Sequence, residues 1–217
     1  WEAEKSISEG GDATRGAIAV TSDGKVHVAY LVADNRVIKY ARYNSYGSFS
    51  EETRTVISTA DAAERPDLYA DRADHVHIAW AQSDDVYYAE YANGSLSGGT
   101  DIGTSLARRD VTVAADSSSN VYVAWTGSPS STSFRDIYEN RRISGSWQGA
   151  ALLAADGVAR YQQYGKSLRG SVNLVFIEEN VPKFLSRVPG GPITYTVNGG
   201  HIALGASAPA TDWYFAE

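Results

Sequence analysis

The chain has 217 residues, 43% hydrophobic and 21% charged, with a formal net charge of −7 and neither cysteine nor methionine. Disulfides and thiolate metal sites are therefore excluded, and an acidic chain offers no cationic surface to neutralise phosphate, which excludes nucleic acid as a partner. No run of about 18 apolar residues is present to insert into a membrane. The first residues do not form a basic and then apolar pattern, and the chain opens on Trp1, so it reads as a mature or excised segment of something longer.

The first residues, WEAEKSIS, have the pattern of an outer strand over 1–8. GAIAV from Gly16 and KVHVAY from Lys25 follow as strands a and b of a hairpin, with Ser-Asp-Gly between them supplying turn chemistry. A third stretch, RVIKYARY, and a fourth after NSYGSFS complete the unit. The same order recurs three times. PDLYA, VHIAW and DVYYAEY form the second unit, DVTVA, VYVAW and RDIYENRR the third, and YQQYG, VNLVF and VPKFLSRV the fourth.

The shared b-strand core places Tyr30, Trp80, Trp125 and Phe176 in one column, at separations of 50, 45 and 51 residues. Four antiparallel strands at that period predict an all-β propeller with one four-stranded blade per unit. Helices would need a 3.6-residue period that is not found, and a plain sandwich would not repeat its sequence. The propeller is expected over 1–188, in units of about 15–63, 64–107, 108–158 and 159–188, with 1–8 closing the fourth blade and 189–217 as an extension or the start of a further module. The alternative is that GPITYTVNGG supplies the fourth unit's own outer strand, in a fragment of a five- to seven-bladed propeller.

The first two units resemble the sialidase-like, BNR-type repeats of bacterial secreted proteins, and the resemblance covers roughly 1–188. It implies a propeller fold and an extracellular or cell-surface setting, and it carries no chemistry. The Ser-x-Asp-x-Gly-x-x-Trp box of sialidases is absent, its turns here reading NSYGSFS and ISGSWQG. The closing TDWYFAE resembles the Trp-Tyr-Phe-Ala-Glu-Gly motif of actinobacterial surface proteins, which implies a continuing chain.

An arginine stands ahead of strand a in every unit: Arg15, Arg65, Arg109 (or its neighbour Arg108) and Arg160, at 15, 15, 16 and 16 residues before the aromatic column. Strand a is innermost in a propeller, so these cations are expected to converge at one mouth of the channel. The b–c connections emerge on the same face and carry Asp34, Asp84, Asp85, Glu178 and Glu179. Two arrangements follow. The guanidinium forks hold a carboxylate or hydroxyl-rich ligand, or each pairs with an acid of a neighbouring blade and serves packing alone.

Glycoside hydrolysis needs two carboxyl groups, or a tyrosine nucleophile with an acid. Asp34, Asp84 and Glu178 are the candidates, though no motif selects a pair. His27 and His77 share a repeat position with Tyr122 and Asn173, which suits an inter-blade position better than a ligand set. His75 and His77 with Asp71 and Asp74 read as a solvated hairpin, so no metal and no cofactor is assigned. The aromatic column is assigned to the inter-blade core, Tyr87, Tyr88 and Tyr91 are left open, and Asn93-Gly94-Ser95 reads as a turn. The expected role is non-catalytic recognition of a glycan or surface protein. A sialidase-like hydrolase and an architectural module are the alternatives.

Overall fold

The computed structural model describes residues 6–7, 13–33, 36–44, 50–58, 63–103, 107–127, 136–154, 160–165, 172–178, 181–188, 191–198 and 201–202. Four antiparallel sheets follow one another along the chain. The first holds β1 (Ala13–Val20), β2 (Lys25–Val32), β3 (Val37–Asn44) and β4 (Ser50–Val56). The second holds β5 (Ala63–Ala70), β6 (Val76–Gln82) and β7 (Asp85–Ala92), with β8 (Ser95–Leu96) and β9 (Thr100–Gly103) both pairing with β7. The third repeats that plan with β10 (Ala107–Ala115), β11 (Val121–Gly127), β12 (Asp136–Ile143), β13 (Ser146–Trp147) and β14 (Ala151–Ala154). The fourth holds β15 (Arg160–Gly165), β16 (Val172–Glu178), β17 (Val181–Val188), β18 (Gly191–Asn198) and β19 (His201–Ile202). No helix occurs among the described residues, and the expected all-β fold of four-stranded antiparallel blades is the one observed.

The inner hairpins turn by one device. Asp71 Oδ1 accepts the N–H groups of Ala73 and His75, and Asp116 Oδ1 accepts those of Ser118 and Asn120. In the first unit Asp23 Oδ1 accepts the Thr21 hydroxyl and the Lys25 N–H, and Gly24 supplies the left-handed residue at φ 77°.

The outer strands depart from expectation. In sheets 2 and 3 the outer strand is split, because Ser97-Gly98-Gly99 and Gln148-Gly149-Ala150 interrupt the pairing with the third strand. In sheet 4 the partner of β17 is β18, paired from Val188↔Gly191 to Lys183↔Thr196, so the unit runs past 188 and fills its own outer position. The first expectation gave that place to 1–8 and the alternative gave it to GPITYTVNGG, the stretch that holds β18. The alternation of Ile193, Tyr195 and Val197 suits a strand beside β17. The expected closing segment lies outside the described residues except for Ser6 and Ile7. Ile7 packs on sheet 1, where its carbonyl accepts the Tyr43 hydroxyl at 3.0 Å.

Successive sheets pack face to face in chain order. Ala29, Leu31 and Tyr40 of sheet 1 meet Leu68, Ile78 and Trp80 of sheet 2. Ala79, Val86 and Tyr88 meet Val113, Val123 and Trp125 of sheet 3. Ala124 and Ile137 meet Tyr164, Leu174 and Phe176 of sheet 4. The aromatic column is buried throughout, Trp80 and Trp125 to 1% exposure, and Tyr87 and Tyr138 stack on those two indoles. The inner strands are also tied by polar bonds. Asp67 Oδ2 accepts the Thr112 hydroxyl and the Val113 N–H, both at 2.9 Å, while Thr112 Oγ1 accepts the Tyr164 N–H at 3.2 Å.

Candidate functional site

Every innermost strand breaks register at a shared place, between Thr14 and Gly16, Glu64 and Asp67, Arg109 and Thr112, and Arg160 and Gln163, and β10 breaks a second time between Ala107 and Arg109. In the first three units a residue with left-handed backbone lies within the break: Arg15 at φ 52°, Arg65 at 26° and Asp110 at 56°. A bulge of this kind turns a side chain out of the pleat. The repeated position ahead of strand a is thus a backbone feature. Asp110, not Arg109, occupies it in the third unit.

That substitution decides where Arg65 goes. Its Nη1 lies 2.5 Å from Asp110 Oδ1, so the bulge residue of one blade is paired to the bulge residue of the next. Arg15 differs: it is exposed, and among the described residues it makes no hydrogen bond or ion pair. It lines an open cleft of about 360 Å³ between the first two sheets with Thr14, Leu31, Ala33, Arg36 and Glu64. Arg36 closes the other side, its Nη2 2.9 Å from Glu64 Oε1 and its carbonyl accepting the Ala63 N–H at 3.0 Å.

The structure therefore brings Arg15 together with Arg36 and Glu64, and takes Arg65 into an inter-blade pair. The side chains of Arg109, Arg160 and Glu178, and all of Asp34, lie outside what is described. Asp84 is exposed in the turn between β6 and β7. Arg36 and Glu64 were not selected from sequence, although Glu64 directly precedes the repeated Arg65. Arg36 was read as the first residue of a strand and instead ends a turn, at φ 49°.

A second cleft, of about 260 Å³, opens at the opposite end between the same two sheets, lined in part by Asp23, Lys25, Asp74, His75, Tyr91 and Asn93. Asp74 bridges the blades by accepting the Ser22 N–H at 2.6 Å and the Ser22 hydroxyl at 2.5 Å. Beneath it lies His27, while its repeat counterpart His77 lies on the other face of sheet 2, beside Asp71 and near Ser119 of the third unit; both histidines are fully buried. His27 Nδ1 is 2.6 Å from Tyr40 Oη, and His77 Nδ1 is 2.8 Å from Tyr88 Oη. Burial, reinforced by Arg42, pushes His27 down to about 4. Burial by itself would raise Asp71, but His77, the His75 N–H and the Ser119 hydroxyl outweigh it and hold the carboxyl at about 2.

These groups do not form a nucleophilic triad. Ser119 Oγ donates to Asp71 Oδ2 at 2.9 Å, and His77 Nε2 stands 3.4 Å from the same oxygen. Serine and histidine both address the carboxylate, whereas a triad requires histidine between the other two. Among the described residues no group of three or more His, Asp or Glu is arranged to hold a metal ion. Tyr91 is engaged by His27 at 5.1 Å and by the Arg42 guanidinium at 4.9 Å, and Tyr88 meets Trp147 edge-on at 5.0 Å. The aromatics left open by the sequence thus serve packing between blades.

No family model and no curated protein sequence matches the chain. Solved structures do. An α-L-arabinanase of Penicillium chrysogenum complexed with arabinobiose superposes with a TM-score of 0.58 at 10% identity, over 88% of this chain and 68% of that one. AofleA from Arthrobotrys oligospora gives 0.59 at 16%, over 87% and 56%. A variant of the Aleuria aurantia lectin AAL in complex with Fucα1-6GlcNAc gives 0.54 at 12%, over 89% and 64%. The chain thus spans between 56% and 68% of the length of these structures. What it shares with them is the β-propeller fold.

Proposed function

We propose that the chain is a non-catalytic recognition module of a secreted or cell-surface bacterial protein, related to the sialidase-like repeat propellers, and that it binds glycan at the cleft lined by Arg15. The observation that carries this reading is Arg15 itself. It is an exposed cation with no partner among the described residues, held by a backbone bulge at the mouth of an inter-blade cleft. A guanidinium so placed grips a carboxylate through two parallel N–H bonds, while Thr14 and Glu64 offer hydrogen bonds to sugar hydroxyls. Two of the similar propellers are named for complexes with arabinobiose and Fucα1-6GlcNAc, which supports a carbohydrate partner.

A second reading has its own observation. The Arg65–Asp110 and Arg36–Glu64 pairs join neighbouring blades, as an architectural module requires. A glycan array probed with the whole chain and with its Arg15→Ala and Arg65→Ala variants separates the two. Recognition predicts binding to carboxylated glycans that Arg15→Ala abolishes and folded Arg65→Ala keeps. If the folded chain binds no glycan on the array, the recognition reading fails and the architectural one stands.

A further inference from the structure

The blades meet by a repeated contact. The residue just before the aromatic column is Ala29, Ala79 or Ala124 in the first three units, each fully buried. Twelve residues before the column stand Ile18, Leu68, Val113 and Tyr164. The two positions meet across each junction: Ala29 and Leu68 share one core, Ala79 and Val113 the next, and Ala124 and Tyr164 the third. Each sheet therefore has a trailing face, marked by the first position, and a leading face, marked by the second.

Two faces are left over. On sheet 1 the leading position is Ile18, 58% exposed, with Val20 beside it at 57%, although Leu68, Val113 and Tyr164 are all buried. Among the described residues of the N-terminal segment, Ile7 packs on the part of that face around Val26, Val28 and Tyr43. On sheet 4 the trailing position is Val175, 43% exposed where its three counterparts are at 0%. The open surfaces are the two complementary halves of the contact that the molecule already makes three times. With both Ile18 and Val175 exposed, they do not bury each other within one chain.

We propose that the open leading face of sheet 1 is occupied by the trailing face of sheet 4 from a second copy of this chain, with Val175 of one copy against Ile18 of the other. The argument is continuity with the three internal junctions, each of which sets an apolar leading residue on a small apolar trailing one. Such an interface joins different surfaces of the two copies, so it propagates until a ring closes.

The absence of cysteine allows a direct test with the whole chain. Sedimentation velocity over a range of concentrations should show association beyond the monomer, and Ile18→Asp should weaken it by about tenfold or more, with circular dichroism confirming that the variant is folded. Mixing Ile18→Cys with Val175→Cys chains under oxidising conditions should give a cross-linked dimer. A chain carrying both substitutions should give a ladder of oligomers. Three results overturn the proposal: a monomer at every concentration, a disulfide closing within one doubly substituted chain, or association without the mixed cross-link.

Discussion

His27 is buried beside Tyr40 and pushed down to about 4, while Asp71, held by His77, His75 and Ser119, sits at about 2. Both shifts act on stability in the same direction. A histidine whose folded value lies below its unfolded one near 6.5 takes up its proton more readily when unfolded, so stability is full above about 6.5 and falls as pH drops toward 4. A depressed carboxylate adds a second loss, from about 4 down to 2. The first step is on the order of 3 kcal/mol and the second about 2 kcal/mol. Thermal melting followed from pH 7.5 to 3 should therefore show a decline that begins near 6.5, and His27→Gln should flatten the part between 6.5 and 4. A variant that keeps the wild-type slope there would show that His27 is not the titrating group. The buried setting of this histidine was legible, because tyrosine and asparagine replace it in the last two units. The role of Asp71 was not, since its partner Ser119 belongs to another blade and lies 48 residues away.

At the level of elements, the bulge in each innermost strand connects backbone conformation to the site. A non-glycine residue in left-handed conformation carries strain of about 1 kcal/mol or more, which glycine relieves and a β-branched residue worsens. Arg15→Gly should leave chemical-denaturation stability within about 1 kcal/mol of wild type, whereas Arg15→Val should lower it by about 1–2 kcal/mol. Equal losses in the two would mean that the bulge does not hold φ at this position. The strands themselves were readable wherever apolar alternation and turn residues coincide, as with VPKFLSRV, which is the whole of β17. The outer strands were harder to place. Gly98-Gly99 splits one of them, and Gly191-Pro192 opens another with two poor strand formers. The arginine column was visible as spacing, but spacing does not reveal a bulge. A one-residue offset therefore hid Asp110 as the true counterpart of Arg65.

Across the whole molecule, stability is shared unequally among the blades. Sheets 2 and 3 are packed on both faces by their neighbours, and every residue of β6 and β11 is buried, while β4 has no buried residue and is half-buried only at Arg54 and its neighbour Thr53. In an array of units joined to their nearest neighbours, the interior opens last. Hydrogen exchange should be slowest in β6 and β11 and faster in β4. Uniform protection through all four sheets would show that the molecule opens as one unit. The repeat made the fold class legible, because four copies of one hairpin can bury their apolar columns only against each other. It did not reveal the cleft, which depends on Arg36 and on Glu64, whose repeat position holds Thr14, Arg109 and Arg160 in the other units.

The alanines at positions 29, 79 and 124 bear on how such a chain changes its length. Because each of the first three units presents the same small residue to the next, a duplicated unit inserted among them would find a fitting surface on each side, and a deleted one would leave its neighbours still compatible. Blade number is then free to drift by recombination while each surviving junction keeps its stability, and selection on ring size falls on the two terminal faces alone.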